Sequence, residues 1–147
     1  MASHTAIPRI QEILGGRQTL GRSLRNEQDL IEIVRSGLPH AALESVQKLL
    51  GLSVGAVSAS LSLPMRTLAR RKKQQRLTAE ESDRLLRLAR LAAAAVGVFG
   101  DPHKASAWLQ KPNRALGNAT PLSRMDTDVG VRQVERVLGR IEHGVFS

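Results

Sequence analysis

The chain has 147 residues, of which 41% are hydrophobic, enough for a packed core and too many for wholesale disorder. Tyr and Cys are absent, and only two Phe and one Trp occur, which favours helices over strands and excludes disulfides and cysteine metal sites. Seven of the nine excess positive charges lie in residues 45–79, which hold no Asp or Glu, so this window attracts a polyanion.

The longest apolar run, residues 91–99, falls well short of the about 20 residues that a membrane-spanning helix needs. The first ten residues lack the charged and then apolar order of a signal peptide. We therefore expect a cytoplasmic, all-α protein without a membrane partner.

Residues 1–25 form a predicted N-terminal extension, with a short helix from Pro8 to Leu14 and a loop after it. Asn26 is a predicted N-cap for the next helix, in which the periodicity places four residues on one face: Leu30, Ile31, Val34 and Leu38. A further helix is predicted over residues 40–50, with Gly51 as its terminator.

The two short segments that follow, Ser53–Ser60 and Pro64–Lys73, match a helix-turn-helix at the positions where its geometry is strict. Apolar residues hold the two helices together from both sides of the turn, namely Val57, Leu61, Leu63 and Leu68. Ser58 and Ser62 occupy places that usually take Ala and Gly. Both are small, although Ser62 is less suited to a positive φ.

The second helix of this motif carries the predicted DNA contacts. Arg66 and Arg70 are candidates to read guanine, because a guanidinium makes bidentate contacts with that base. Arg71, Lys72 and Lys73 are expected to contact phosphates. The full predicted DNA-binding set is Met65, Arg66, Thr67, Ala69, Arg70, Arg71, Lys72 and Lys73. The alternatives are an ordinary two-helix corner with a charged exterior, and a motif that only holds a dimer together.

The polar run 72–76 marks the predicted boundary between a DNA-binding domain, residues 26–76, and a second domain, residues 77–147. Thr78 and Glu81 form a predicted capping box for a helix that runs to about Phe99 with one apolar stripe. Later caps are predicted at Asp101 and Thr127, with a further turn of helix over 121–125 and a stop at Gly144.

Catalysis is not expected. The four histidines are scattered singly and none has the spacing of a metal site, and no glycine-rich loop follows a strand to hold phosphate. We therefore predict neither a metal nor a cofactor, and a protein that is not an enzyme.

Two features of the second domain point to a partner. A lone Trp among helical apolar positions usually packs in the core, but Trp108 could also anchor an interface. The segment from Arg140 to Phe146 ends on an aromatic residue after a predicted helix stop. It is either a frayed terminus or a tail that inserts into the cleft of a partner.

The second domain resembles the toxin-binding domain of Xre/MbcA/ParS-type antitoxins. That family has a helix ending near "FGD", a Trp-Leu helix, a "PN-AL-G" loop, a "PL" turn and a closing "L-RIEHGV" helix. The matching residues are Gly100, Asp101, Trp108, Leu109, Pro112, Asn113, Ala115, Leu116, Gly117, Pro121, Leu122, Gly130, Val134, Leu138, Arg140, Ile141 and Gly144. The helix-turn-helix half is similar to the same family, and the resemblance spans roughly residues 28–147.

The resemblance implies an antitoxin of a type II toxin–antitoxin system, whose partner is a RES-domain toxin that consumes NAD. In such pairs the C-terminal region of the antitoxin covers the active-site entrance, and the other half binds the operon's own promoter as a repressor. The predicted toxin-binding residues are Trp108, Asn113, Arg114, Arg136, Arg140, His143, Val145, Phe146 and Ser147. A homodimer is expected, and with the toxin a higher-order complex, because one helix-turn-helix reads only half a site.

Two other functions fit the residues alone. One is a free-standing helix-turn-helix transcription regulator whose C-terminal half is a dimerisation module. The other is an interaction adaptor without a DNA role. A toxin encoded beside this chain would decide against the first, and sequence-selective DNA binding against the second.

Overall fold

The computed structural model describes residues 6–144, which form nine α-helices and two short 3-10 turns. The helices are α1 (Ala6–Ile13), α2 (Gly16–Leu20), α3 (Glu27–Ser36), α4 (His40–Leu50), α5 (Val54–Leu61), α6 (Met65–Gln74), α7 (Ala79–Phe99), α8 (Pro102–Leu109) and α9 (Asp128–Glu142). The 3-10 turns cover Arg114–Leu116 and Pro121–Arg124. The expected all-α class is confirmed. Among the helices of residues 6–144, none combines the length and the hydropathy of a membrane span.

The 21-residue helix α7 is the central element of the fold. Helices α1, α3, α8 and α9 all pack against it. The sequence predicts a single apolar stripe, but residues outside that stripe are buried as well, including Leu86, Leu91 and Ala93. Because neighbours cover α7 on several sides, its many alanines are needed to let the surrounding helices approach.

The N-terminal helix α1 belongs to the core. Ile7, Ile10 and Leu14 are fully buried, and α1 packs against α4 and α7. The predicted loop after it is partly wrong, because the chain forms a helical turn, α2, before Leu24 returns to the core. The backbone amide of Leu24 donates to the Gln11 side chain, so this return is fixed by hydrogen bonding as well as by burial.

Helix α3 begins as predicted, with the Asn26 side chain accepting from the Asp29 amide at 2.9 Å. The inner face differs from the prediction. Ile33 is buried beside Leu30, whereas Ile31 is 43% exposed. At 100° per residue, Ile31 and Ile33 flank the line through Leu30 and Val34 at equal angles on opposite sides, and the direction from which α7 packs decides which of them is covered.

The segment between α6 and α7 is docked onto the α3–α4 connection. The Leu77 amide donates to the Leu38 carbonyl at 2.9 Å, and Arg76 donates to the Gly37 carbonyl at 2.7 Å. The Leu38 amide in turn donates to the Ser82 hydroxyl at 2.7 Å. These bonds attach the start of α7 to the helices before it, so the helix-turn-helix is held on α7.

Candidate functional site

The central helix-turn-helix has the tight turn and the buried anchors that the sequence predicts. Helix α5 begins at the Ser53 cap and ends at Ser62, and the four predicted apolar anchors are all buried: Val57, Leu61, Leu63 and Leu68. Ser62 adopts φ 52, the left-handed conformation that this turn requires. The turn therefore forms without Gly, at the cost of backbone strain.

Ser58 contributes to the turn in a way that a small apolar residue could not. Its hydroxyl donates to the Leu63 carbonyl, and its own carbonyl accepts from the Leu63 amide at 3.0 Å. The serine thus closes the turn from both its side chain and its backbone. This bond offsets part of the strain at Ser62.

Helix α6 presents its basic side to solvent. Leu68 is the buried residue of this helix, and Thr67 is half-buried. The outer face of α6 is made of its exposed members of the predicted DNA-binding set: Met65, Arg66, Ala69, Arg70, Lys72 and Lys73. This face holds four positive charges and no carboxylate, so it attracts a polyanion.

Arg71 differs from its predicted role as a phosphate contact. Its side chain is 14% exposed, and its Nε donates to Glu81 Oε1 at 2.7 Å. The same oxygen accepts from the Thr78 amide at 2.9 Å, within the capping box of α7. Arg71 thus ties the end of α6 to the start of α7, and its charge is compensated within the fold.

The contact between Arg71 and Glu81 shifts the pKa of both side chains. The hydrogen bond to Glu81 raises the pKa of Arg71. Burial opposes ionisation of Glu81, but the hydrogen bonds from Arg71 and Thr78 outweigh it and lower the pKa of that carboxyl. The pair is therefore ionised at neutral pH.

A second side chain of α7 holds the other helix of the motif. Arg84 Nη1 donates to the carbonyls of Leu61 and Ser62 at 3.3 and 3.1 Å, which lie at the C-terminal end of α5. We call the contact of Glu81 with Arg71 and the contact of Arg84 with the end of α5 the two clamps of α7. The sequence predicted neither of them. Glu81 was predicted only as a capping residue and Arg84 not at all, because both partners lie ten or more positions away along the chain.

The Glu81 clamp predicts a pH-dependent stability. Its pKa is lower in the folded state, so the unfolded state binds more protons and stability rises with pH. The contribution is present above the unfolded pKa of Glu, about 4.3, and is lost as the pH falls through the folded value. We expect Glu81→Gln to lower the free energy of unfolding at pH 7, with the difference from wild type shrinking below pH 4.

Urea unfolding of both proteins from pH 7 to pH 3 measures this difference. Glu80→Gln is the matched control, because Glu80 lies one position earlier in an ion pair with Arg84 and is 80% exposed. An exposed pair contributes little, so the control should stay close to wild type. A wild-type to Glu81→Gln difference that is constant over this pH range would contradict the clamp.

The end of α9 forms a second exposed surface. Arg136, Gly139, Arg140 and His143 line a shallow depression of about 400 Å³, and we name this surface the C-terminal face. The three side chains are exposed and follow the spacing of one side of a helix. The inner side of α9 is buried, through Val131, Val134, Val137 and Leu138.

The other predicted toxin-binding residues that the structure describes do not line this face: Trp108 lies on α8, and Asn113 and Arg114 lie in a turn beside α9. Trp108 on α8 is half-buried and packs against Phe99, with ring centroids 5.6 Å apart. The Asn113 side chain accepts from the Ala115 amide at 2.9 Å, so it shapes the turn that carries exposed Arg114. This turn packs against α9. Val145, Phe146 and Ser147 lie outside the described residues.

Metal chemistry finds no support in the described part of the chain. Within residues 6–144 no group of three or more His, Cys, Asp or Glu side chains is placed to hold a metal ion. What the two surfaces offer is binding: a basic helix in a DNA-reading motif, and a cationic helix end.

Comparison with known proteins matches both halves in order. The family described as "Antitoxin Xre-like helix-turn-helix domain" matches residues 29–90, and "Antitoxin Xre/MbcA/ParS C-terminal toxin-binding domain" matches residues 94–144. The first match ends and the second begins within α7, the helix whose side chains hold α5 and α6.

The names of similar proteins point to the same family. Proteins called "Antitoxin Xre" from Yersinia enterocolitica and Photorhabdus laumondii are each 34% identical, over 80% and 88% of this chain and 81% and 89% of theirs. A "Prs ADP-ribosylating antitoxin" from a Sphingobium species is 28% identical over 81% of each chain. Both matched domains and the extent of these alignments show that the chain belongs to the Xre family of antitoxins, members of toxin–antitoxin systems.

Proposed function

We propose that this antitoxin neutralises a RES-domain toxin that consumes NAD, by covering its active site, and that it represses its own operon promoter. The observation that carries the proposal is the presence of two separate exposed cationic surfaces in one fold. The outer face of α6 lies in a helix-turn-helix, and the C-terminal face lies in the matched toxin-binding domain.

The outer face of α6 supports the repressor role. In a helix-turn-helix the second helix enters the major groove, where Arg66 and Arg70 can each make bidentate contacts with guanine. Lys72 and Lys73 are free to contact phosphates, since both are exposed. A homodimer supplies the second half-site, so repression is proposed to need two copies of the chain.

The C-terminal face supports the neutralising role. Arg136 and Arg140 give this face a positive charge, which would complement acidic side chains at the rim of a toxin's cleft. The Sphingobium relative is called a "Prs ADP-ribosylating antitoxin", and ADP-ribosyl transfer consumes NAD, which supports a link between this family and NAD chemistry. The proposed role of this chain is binding and not catalysis.

Substitution of the base-reading arginines should separate the two roles. We expect Arg66→Ala and Arg70→Ala each to weaken binding to the promoter about tenfold to a hundredfold, the range for one bidentate arginine. Growth rescue in cells that co-express the toxin should stay at the wild-type level. Fluorescence anisotropy at fixed salt measures the first effect, and a growth assay the second.

Arg17→Ala is the control, because Arg17 is an exposed arginine on α2, outside the motif. It should leave both readouts unchanged. Release of the toxin by Arg66→Ala or Arg70→Ala would contradict the division of labour. Promoter binding without any toxin complex would favour the free-standing regulator instead.

A further inference from the structure

The outer face of α6 contains an exposed methionine that the charge argument leaves unexplained. Met65 is 54% exposed at the first position of a helix whose other exposed residues are mostly cationic. Burial in the core would be its usual state. Its position next to Arg66, a proposed base contact, suggests that the apolar side chain faces the same ligand.

Met65 is part of an apolar strip. Ala69 lies one helical turn further along α6 and is exposed, while Leu68 faces the core. Val54, the first residue of α5, is 49% exposed and lines, with Met65 and Ala69, a depression of about 290 Å³ between α4, α5 and α6, where Glu44 also lies. Along α6 the strip runs beside the arginines, with Met65 before Arg66 and Ala69 before Arg70.

The chemistry of the major groove offers one match for such a strip. Each base pair presents hydrogen-bond donors and acceptors there, and the apolar feature among them is the 5-methyl group of thymine. Methionine is flexible and polarisable, and therefore suits contact with a methyl group whose exact position varies. Arginine reads guanine through O6 and N7, so the two residue types read different bases side by side.

We propose that Met65 and Ala69 are specificity-determining residues that contact thymine methyl groups, and that each operator half-site has thymine next to the guanines read by Arg66 and Arg70. The proposal rests on the proposed function, because it requires α6 to enter the major groove of the promoter. It names the base class that the apolar strip would select.

Replacing thymine by deoxyuridine in the promoter fragment tests this directly, since it removes the methyl group and keeps the hydrogen-bonding edge. One thymine is replaced at a time, and binding of the full chain is measured by anisotropy at fixed salt. We expect about fourfold weaker binding at one or two positions of each half-site, the effect of one buried methyl group. Met65→Ala should lose the distinction between thymine and uracil at one of them.

Ile31→Ala is the matched control, because Ile31 is an exposed apolar residue on α3, outside the motif. It should keep the full thymine preference. Wild-type binding that is unchanged by deoxyuridine at every position would overturn the proposal, as would a Met65→Ala variant with the wild-type preference. A wild-type protein that does not bind the promoter at all would instead overturn the proposed repressor function.

Discussion

Removal of residues 140–147 should abolish neutralisation: cells that express the toxin with this shortened protein are expected to grow no better than cells that express the toxin alone. The truncation removes Arg140 and His143 from the C-terminal face, and with them the predicted contacts at Val145, Phe146 and Ser147. Central, desolvated side chains of an interface carry most of its binding energy. A growth assay with inducible expression of both proteins measures the effect.

The truncation also removes Ile141, which packs against the core, so a variant of full length is needed beside it. Arg140→Glu reverses the charge of an exposed side chain and should leave the helical circular dichroism unchanged while rescue is lost. Arg17→Glu makes the same change on α2 and should rescue fully. Full rescue by both the truncated protein and Arg140→Glu would remove the C-terminal face from the mechanism.

Gly130→Ala is expected to destabilise the fold by about 1–3 kcal/mol, the cost of overpacking a filled site. A Cβ at Gly130 would overlap the backbone carbonyl oxygen of Arg124 and lie 3.0 Å from Thr127 Oγ1. The Thr127 hydroxyl caps α9 by accepting from the Gly130 amide at 3.0 Å, so Thr127 cannot move away without loss of this cap, and the Arg124 oxygen belongs to the backbone of a 3-10 turn. The first turn of α9 therefore requires glycine. Urea unfolding at neutral pH measures the change.

Gly139→Ala is the matched control on the same helix. Apart from the adjoining backbone of α9, no atom of residues 6–144 lies within 4 Å of a Cβ at Gly139, and Ala is better than Gly inside a helix by about 0.5–1 kcal/mol. The two substitutions should therefore change the free energy of unfolding in opposite directions. Equal effects of both would show that the close approach of the Arg124 carbonyl is not a constraint on the fold.

Local chemistry made much of the fold predictable from the sequence. The caps at Asn26, Thr78, Asp101 and Thr127 all accept the amide hydrogen bonds expected of them. Such bonds join residues two or three positions apart, so their pattern is visible in the sequence. The anchors of the helix-turn-helix were predictable for the same reason, since their spacing is fixed by a tight turn.

Features set by contacts between distant residues were not predictable. Ile33 and Ile31 fit the helical period of α3 equally well, and only the position of α7 decides between them. Arg71 belongs to a basic run whose other members are exposed, yet its partner Glu81 holds it against α7. The short helix α2 has too few residues for a periodic signal. The DNA- and toxin-binding assignments of single residues stay predictions.

Titration of the proposed RES-domain toxin with the purified full-length protein, with NAD consumption as the readout, tests the central claim most directly. We predict that the two proteins elute as one complex and that consumption falls to background once the antitoxin matches the toxin in concentration. Arg140→Glu should leave the toxin active at the same ratio. Undiminished NAD consumption by a toxin held in a stable complex, or the lack of any complex, would contradict the account.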